Sequence, residues 1–123
     1  MSLTGIIRNA FIPRQHKLER HFSNPDELQH QVLQHLLHTA ANTEYGRNHN
    51  FANTSSYDDF VRNVQVNTYE ELKADIDRMR HGEKNVLWPG QVRWYAKSSG
   101  TTNDKSKFIP VSAEGLKQIH YKG

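Results

Sequence analysis

The chain has 123 residues, the size of a single domain, with a net charge of +3 and no cysteine. The lack of cysteine excludes disulfides and thiolate metal sites, and no apolar run reaches the roughly 20 residues of a membrane-spanning helix. Hydrophobic residues make up 35% of the chain, and even with glycine counted the fraction stays below the roughly 45–50% of ordinary globular domains. The composition therefore predicts either a loosely packed, partner-dependent module or a piece of a larger protein.

The N-terminal segment from Ile6 to Phe22 is basic and partly apolar, a composition that targeting peptides share. It contains Glu19, is interrupted by Pro13 and lacks serine enrichment, which favours a helix that packs on the rest of the protein. We therefore expect a cytoplasmic protein.

The strongest helix prediction covers Asp26 to Ala41. Pro25 suits the first position of a helix, and the acidic residues that follow complement the positive end of its dipole. Apolar residues then recur at helical spacing and form a wide stripe, which contains Leu28, Val32, Leu33, Leu36, Leu37 and Ala40. The polar segment from Thr43 to Asn53 is predicted to be a loop.

A short helix and a short strand are predicted next. Ser56, followed three residues later by Asp59, is typical of a helix start and predicts a helix from Tyr57 to Arg62. The alternating segment from Val64 to Val66 predicts a short strand.

A capped helix follows this segment. Thr68 and Glu71 have the spacing of a capping box, and Gly82 is the predicted cap of a helix that ends near Arg80. One face of this helix is apolar and is formed by Tyr69, Leu72, Ile76 and Met79.

The last third of the chain predicts a hairpin. A turn at Trp88 to Gly90 precedes two strands, Val92 to Ala96 and Lys107 to Ile109. Ser112 is predicted to cap a final helix, which reaches the last residue without a natural end.

Basic residues concentrate around this hairpin. Residues 1–77 hold seven Lys and Arg against ten Asp and Glu, whereas residues 78–123 hold nine against three. The local positive field would attract an anion, but it does not distinguish a nucleotide from a nucleic acid. The basic residues are Arg78, Arg80, Lys84, Arg93, Lys97, Lys105, Lys107, Lys117 and Lys122.

The segment between the two strands carries the strongest functional signal. It consists of Ser98, Ser99, Gly100, Thr101 and Thr102, and the lysines Lys105 and Lys107 follow. Small hydroxyl residues around a glycine let the backbone approach an anion closely, and neighbouring lysines add charge that suits phosphate oxygens. An ordinary flexible turn has a similar composition. It is not a Walker A loop, because the second glycine of that motif is missing and a strand follows instead of a helix.

This loop resembles the nucleotide-phosphate loop of the plant auxin- and jasmonate-amino-acid amido synthetases and their bacterial relatives, which are adenylate-forming enzymes. Three upstream segments match in order and approximate distance, namely residues 42–47, 69–72 and 86–90. The resemblance covers most of the chain from about Leu28 onward.

The resemblance implies roles for the loop residues. Ser98, Ser99, Thr101 and Thr102 would contact the β- and γ-phosphates of ATP, and Gly100 would permit the close approach. One of the two lysines, Lys105 or Lys107, would neutralise the departing pyrophosphate. Many family members carry Gly-Lys-Pro-Lys where this chain has Asp104-Lys105-Ser106-Lys107. Asp104 thus replaces a glycine and brings a negative charge next to the phosphates and Lys105. Lys107 is therefore the stronger catalytic assignment.

The resemblance also implies the fold and the reaction. We expect an α+β fragment of a larger α/β adenylate-forming domain, mainly helical over residues 1–90, with the antiparallel strand–loop–strand unit over 91–111 and the start of the next helix over 112–123. The parent enzyme would use ATP and Mg²⁺ to activate a carboxylic acid and would join it to an amino acid, whereas the fragment alone would be inactive. No membrane or nucleic-acid partner is expected.

Three further interpretations complete the sequence-based hypotheses. A small basic module that binds single-stranded nucleic acid through Trp88, Trp94 or Tyr95 is the alternative function, although anchoring of the hairpin explains these aromatics better. His35 and His38 are three residues apart on the long helix, but no further ligand stands at a suitable spacing, so no metal site is expected. Uncovered apolar faces on the first helix and the hairpin predict self-association of the fragment.

Overall fold

The computed structural model describes residues 24–98 and 106–120. These residues fall into two compact units, whose boundary lies between His35 and Leu36, inside the first helix. The α+β class, mainly helical with a small antiparallel hairpin, is confirmed. In chain order the elements are helices α1 (Pro25–Ala40) and α2 (Glu44–Asn48), a 3₁₀ turn (Phe51–Asn53), helices α3 (Tyr57–Asn63) and α4 (Tyr69–Arg80), strands β1 (Trp94–Lys97) and β2 (Phe108–Val111), and helix α5 (Ala113–His120).

Helix α1 begins as its sequence predicts. Pro25 is its first residue, and the two acidic residues lie in its first turn. In the first unit, the Glu27 carboxylate accepts a hydrogen bond from the Gln31 side-chain amide at 2.8 Å. In the second unit, Leu37 and Ala40 are buried while Leu36 stays 44% exposed, so only part of the apolar stripe is covered there.

The predicted loop from Thr43 to Asn53 is wrong, because this segment contains helix α2 and the 3₁₀ turn. Thr43 is fully buried, donates its hydroxyl to the Ala40 carbonyl at 2.7 Å and accepts the Gly46 N–H at 2.9 Å. Gly46 lies so close to the preceding helix that an added Cβ would be 2.0 Å from the Ala40 carbonyl oxygen. This close approach needs a glycine.

Helix α3 confirms the prediction of a start at Tyr57, with the Ser56 hydroxyl accepting the Asp59 N–H at 3.1 Å. The strand predicted from Val64 to Val66 is wrong. The segment has no regular structure, and Val66 is 99% exposed. Alternation alone does not make a strand, since its backbone groups also need a neighbouring strand to pair with.

Helix α4 confirms both of its predicted ends. Thr68 and Glu71 form the capping box, with the Glu71 carboxylate accepting the Thr68 N–H at 2.6 Å. At the other end Gly82 adopts a positive φ of 94°, and its N–H donates to the Met79 carbonyl. The predicted apolar face also forms, with Ile76 and Met79 buried.

The core of the second unit lies between α4 and the segment that leads into β1. Its buried members are Met79, Val86 and Val92, and the partly buried side chains packed against them are Leu87, Trp88 and Tyr95. Residues from both the helix and the hairpin therefore share one core.

The segment between α4 and β1 is closed by Asn85. This residue has a left-handed backbone, with φ of 58°. Its N–H donates to the Gly90 carbonyl at 3.1 Å, and its side-chain oxygen accepts the Gly90 N–H at 2.7 Å. The predicted turn at Trp88 to Gly90 is thus part of a loop whose two ends are bonded to each other.

Strands β1 and β2 are antiparallel, as predicted, and both lie slightly later in the chain than expected. Val92 precedes β1 and is buried in the core, while Lys107 lies just before β2. Since side chains alternate between the two faces of a sheet and paired residues share a face, Tyr95 and Phe108 lie on the inner side. The outer face, so named here, consists of Trp94, Ala96, Ile109 and Val111.

Candidate functional site

The candidate site is the segment that joins β1 to β2. Of the residues that the sequence assigns to it, the structure places Ser98 and Lys107, one at each end of the segment. The other assigned residues lie outside the described residues; they are Ser99, Gly100, Thr101, Thr102 and Lys105.

Ser98 and Lys107 face each other across the hairpin. The Ser98 N–H donates to the Lys107 carbonyl at 2.9 Å, and the Lys107 N–H donates to the Ser98 hydroxyl oxygen at 3.2 Å. These two bonds continue the antiparallel pairing one step beyond the strands. The Ser98 hydroxyl keeps its own proton as a donor, because it uses only an acceptor position toward the lysine. The two ends of the loop are therefore held together at a defined distance.

The Lys107 side chain lies over an aromatic ring of helix α4. Its ammonium nitrogen is 5.6 Å from the centroid of the Tyr69 ring, within the range of cation–π attraction. The Tyr69 hydroxyl also accepts a hydrogen bond from the Phe108 N–H at 3.0 Å. Sequence reasoning assigned Tyr69 to an apolar helix face and missed both contacts.

The other end of α4 approaches the same strand. The Arg80 guanidinium carbon lies 3.7 Å from the centroid of the Phe108 ring. Both terminal residues of the helix thus contact Phe108, the first residue of β2. Three cations, Lys97, Lys107 and Arg80, lie at this end of the hairpin, and Arg80 is also paired with the Asp77 carboxylate at 3.3 Å. Together they contribute to a positive field there.

Arg78 is one of the basic residues that the charge count assigned to an anion-attracting field, but its charge is used within the fold. Its guanidinium pairs with three carboxylates, those of Glu44 at 2.6 Å, Asp75 at 3.0 Å and Glu83 at 2.5 Å. Hydrogen bonds from Arg78 hold the pKa values of Glu44 and Glu83 below the usual range of a glutamate. Its charge is therefore committed to joining α2, α4 and the segment after α4.

An open apolar cleft lies beside the hairpin. Its volume is about 240 Å³, and its lining residues are Met79, Leu87, Trp88, Val92, Pro110 and Ser112. Ser112 also caps α5, as predicted, because its hydroxyl oxygen accepts the Gly115 N–H at 3.0 Å.

Trp88 and Tyr95 pack against the core, whereas Trp94 is 49% exposed. Two of the three aromatics thus anchor the hairpin.

Within residues 24–98 and 106–120, no three His, Asp or Glu side chains are grouped so that they could hold a metal ion. No helix in this described part of the chain combines the length and apolar character that crossing a membrane requires.

Comparison with known proteins identifies the family. Residues 14–123 match the model of the GH3 family N-terminal domain. Indole-3-acetic acid-amido synthetase GH3.5 of Arabidopsis thaliana is 32% identical over 100 residues, which cover 80% of this chain and 16% of that protein. Indole-3-acetic acid-amido synthetase GH3.15 of the same plant is 35% identical over 103 residues, which cover 82% of this chain and 17% of that protein.

A rice relative shows the same pattern. Probable indole-3-acetic acid-amido synthetase GH3.1 of Oryza sativa subsp. japonica is 30% identical over 101 residues, which cover 80% of this chain and 17% of that protein. The chain spans about a sixth of the length of the curated relatives it matches. The resemblance read from the loop and its upstream segments is confirmed, and the chain belongs to the GH3 family, whose N-terminal domain it matches.

Proposed function

We propose that this chain is the phosphate-binding N-terminal part of an acid–amino-acid amido synthetase. The observation that carries the proposal is the paired neck of the Ser-Gly-Thr loop, formed by Ser98 and Lys107, in a chain of the GH3 family. This neck would bring a hydroxyl and an ammonium group to the mouth of a loop rich in small residues. Such an arrangement suits a chain of phosphates.

The reaction would proceed in two steps. A carboxylate oxygen of the acid attacks the α-phosphorus of ATP, the bond to the bridging oxygen breaks, and pyrophosphate leaves with the bond's electrons. The amine of an amino acid then attacks the acyl carbon, loses a proton and expels AMP. Lys107 would stabilise the negative charge that develops on pyrophosphate, while the loop hydroxyls and N–H groups hold the β- and γ-phosphates.

The residue types of the loop also fit Mg²⁺. Serine and threonine oxygens are hard donors, and magnesium in nucleotide sites is held largely by the phosphates, with few protein ligands. In the bound state the ion would supply further neutralisation of phosphate charge.

The rest of the enzyme is expected outside this chain. Because the chain matches about a sixth of its relatives, we expect the acid pocket and the amine site to lie elsewhere in the parent protein. The 123-residue chain by itself should therefore show no turnover.

Pyrophosphate exchange on the full-length protein that contains this chain tests the proposal. We expect exchange of labelled pyrophosphate into ATP that depends on one member of a broad panel of carboxylic acids. Lys107→Ala should reduce this exchange at least tenfold, about 1.4 kcal/mol of barrier. The matched control is Lys73→Ala, since Lys73 is paired with Asp77 at 2.6 Å on the surface of α4 and should be dispensable. Absence of acid-dependent exchange across the whole panel would contradict the proposed function.

A further inference from the structure

We propose that Tyr69 is a positioning residue for Lys107, acting on its backbone through the phenol oxygen and on its ammonium group through the ring. The inference rests on the proposed function, because it assigns Tyr69 a part in placing the group that faces pyrophosphate. Tyr69 itself would touch no substrate.

The backbone contact follows from the geometry of the hairpin. Both the N–H and the carbonyl of Lys107 point toward Ser98 on the other arm of the hairpin. In an antiparallel pair the next residue directs its N–H to the opposite side. The Phe108 N–H therefore points away from β1, where it meets the Tyr69 hydroxyl oxygen at 3.0 Å. Tyr69 thus anchors β2 at the residue adjacent to the lysine.

The ring contact restricts the lysine side chain. A lysine side chain has four rotatable bonds and loses considerable rotamer freedom when its ammonium is held in one place. The face of the Tyr69 ring, 5.6 Å from the ammonium nitrogen, favours conformations in which the charge stays on this side of the strand. One side chain therefore restrains both the strand that bears Lys107 and the charge that Lys107 carries.

Tyr69 can do this because α4 is fixed at its first turn. The capping box of Thr68 and Glu71 secures the backbone on either side of Tyr69. At the far end, the Arg80 guanidinium on the Phe108 ring makes a second contact with the same strand. The helix is thus a rigid support behind the hairpin, and a site held by such support keeps its geometry better than one on an isolated loop.

The test uses three tyrosine variants of the full-length protein. Tyr69→Phe keeps the ring and removes the acceptor, while Tyr69→Leu removes both. Tyr45→Phe is the matched control, because the Tyr45 hydroxyl accepts a hydrogen bond from the Asn67 side-chain amide at the same 3.0 Å distance, on other elements. In acid-dependent pyrophosphate exchange we expect kcat to fall about threefold for Tyr69→Phe and about tenfold for Tyr69→Leu, with KM for the acid unchanged and Tyr45→Phe within twofold of wild type.

Combination with Lys107→Ala separates positioning from general stabilisation. If Tyr69 acts through the lysine, the double variant Tyr69→Leu, Lys107→Ala should be no slower than Lys107→Ala alone, since residues that act as a unit are not additive. Independent losses that multiply would overturn the inference while leaving the proposed function intact. Wild-type protein without any acid-dependent exchange would instead overturn the proposed function.

Amide hydrogen exchange supplies a readout that does not depend on turnover. Peptides that cover residues 106–111 should exchange faster in both Tyr69 variants than in wild type, and Tyr45→Phe should leave them unchanged. Unaltered exchange of these peptides in Tyr69→Leu would show that Tyr69 does not hold the strand, and the inference would fail even if activity were reduced.

Discussion

The helical frame and the hairpin of the second unit are held by different means. The frame, defined here as residues 36–92, is joined by contacts between segments far apart in the chain, such as the Glu44 and Tyr45 N–H groups on the carbonyls of Asn85 and Val86 at 2.8 and 3.0 Å. The hairpin has only its inner face packed, and the Trp94 and Ile109 side chains on its outer face are 49% and 46% exposed. The comparison shows a well-connected support beneath a less covered element that carries the candidate site.

The two regions meet at few points. Tyr69 and Arg80 of α4 contact Phe108, and Tyr95 of β1 packs into the shared core. Substitutions of buried residues in the frame should therefore reduce stability, while substitutions on the outer face should leave it nearly unchanged.

Gly46→Ala should have the largest effect. The new methyl group would lie 2.0 Å from the Ala40 carbonyl oxygen, so α1 and α2 must move apart. We expect the free energy of unfolding in urea to fall by about 3 kcal/mol. Gly115→Ala in α5 is the control, because an added Cβ would lie 3.3 Å from the Ser112 hydroxyl oxygen, which belongs to a side chain and not to backbone, and alanine favours helix. A Gly46→Ala protein as stable as wild type would refute the close approach.

Met79→Ala should have the next largest effect. Met79 is 2% exposed and packs in the core shared by the frame and the hairpin. Its truncation should cost about 2 kcal/mol in the free energy of unfolding, at the lower end of the range for a buried methionine. Val66→Ala, at a residue that is 99% exposed, should change the same quantity by less than about 0.5 kcal/mol. Equal effects of the two variants would mean that the core does not form as described.

Acid should weaken the frame through the Arg78 cluster. The pKa values of Glu44 and Glu83 are lowered from 4.5 in the folded protein by hydrogen bonds from Arg78. Their stabilising effect is therefore complete above pH 4.5 and is lost as the pH falls through the lowered values. Arg78→Met should be less stable at pH 7 and should show a flatter decline below pH 4.5. Parallel stability curves for the two proteins would show that the cluster contributes nothing.

Ile109→Lys on the outer face should have the smallest effect on stability. Ile109 is 46% exposed, so the free energy of unfolding should change by less than about 0.5 kcal/mol. We expect the 123-residue chain to self-associate through this apolar face, and the added charge should lower the molecular mass measured by light scattering. A wild-type chain that stays monomeric at high concentration would contradict this expectation.

Local chemistry explains which elements the sequence could predict. The capping box of Thr68 and Glu71, the first-turn position of Pro25 and the positive φ of Gly82 depend on residues close in the chain, and all three are confirmed. Helix α2 was missed because five residues are too few to show a period. It is held partly by bonds to Asn85 and Val86, about 40 residues away in the chain.

The candidate site shows the same division. The loop motif and its lysines were recognisable because their residue types and order are local. The contact between Tyr69 and Phe108 joins residues 39 positions apart, and the local sequence around neither residue predicts it. A count of charges likewise could not predict that Arg78 forms ion pairs with three carboxylates.

The loop closed by Asn85 and Gly90 has a consequence for how related chains can diverge. Two hydrogen bonds join these residues, and each requires the present number of residues between them. An insertion or deletion inside the loop would separate the paired groups. Glycine at position 85 could also adopt the left-handed backbone, but it would lose the bond that the asparagine side chain accepts. The spacing between positions 85 and 90 should thus vary less among homologues than the identity of the side chains it encloses.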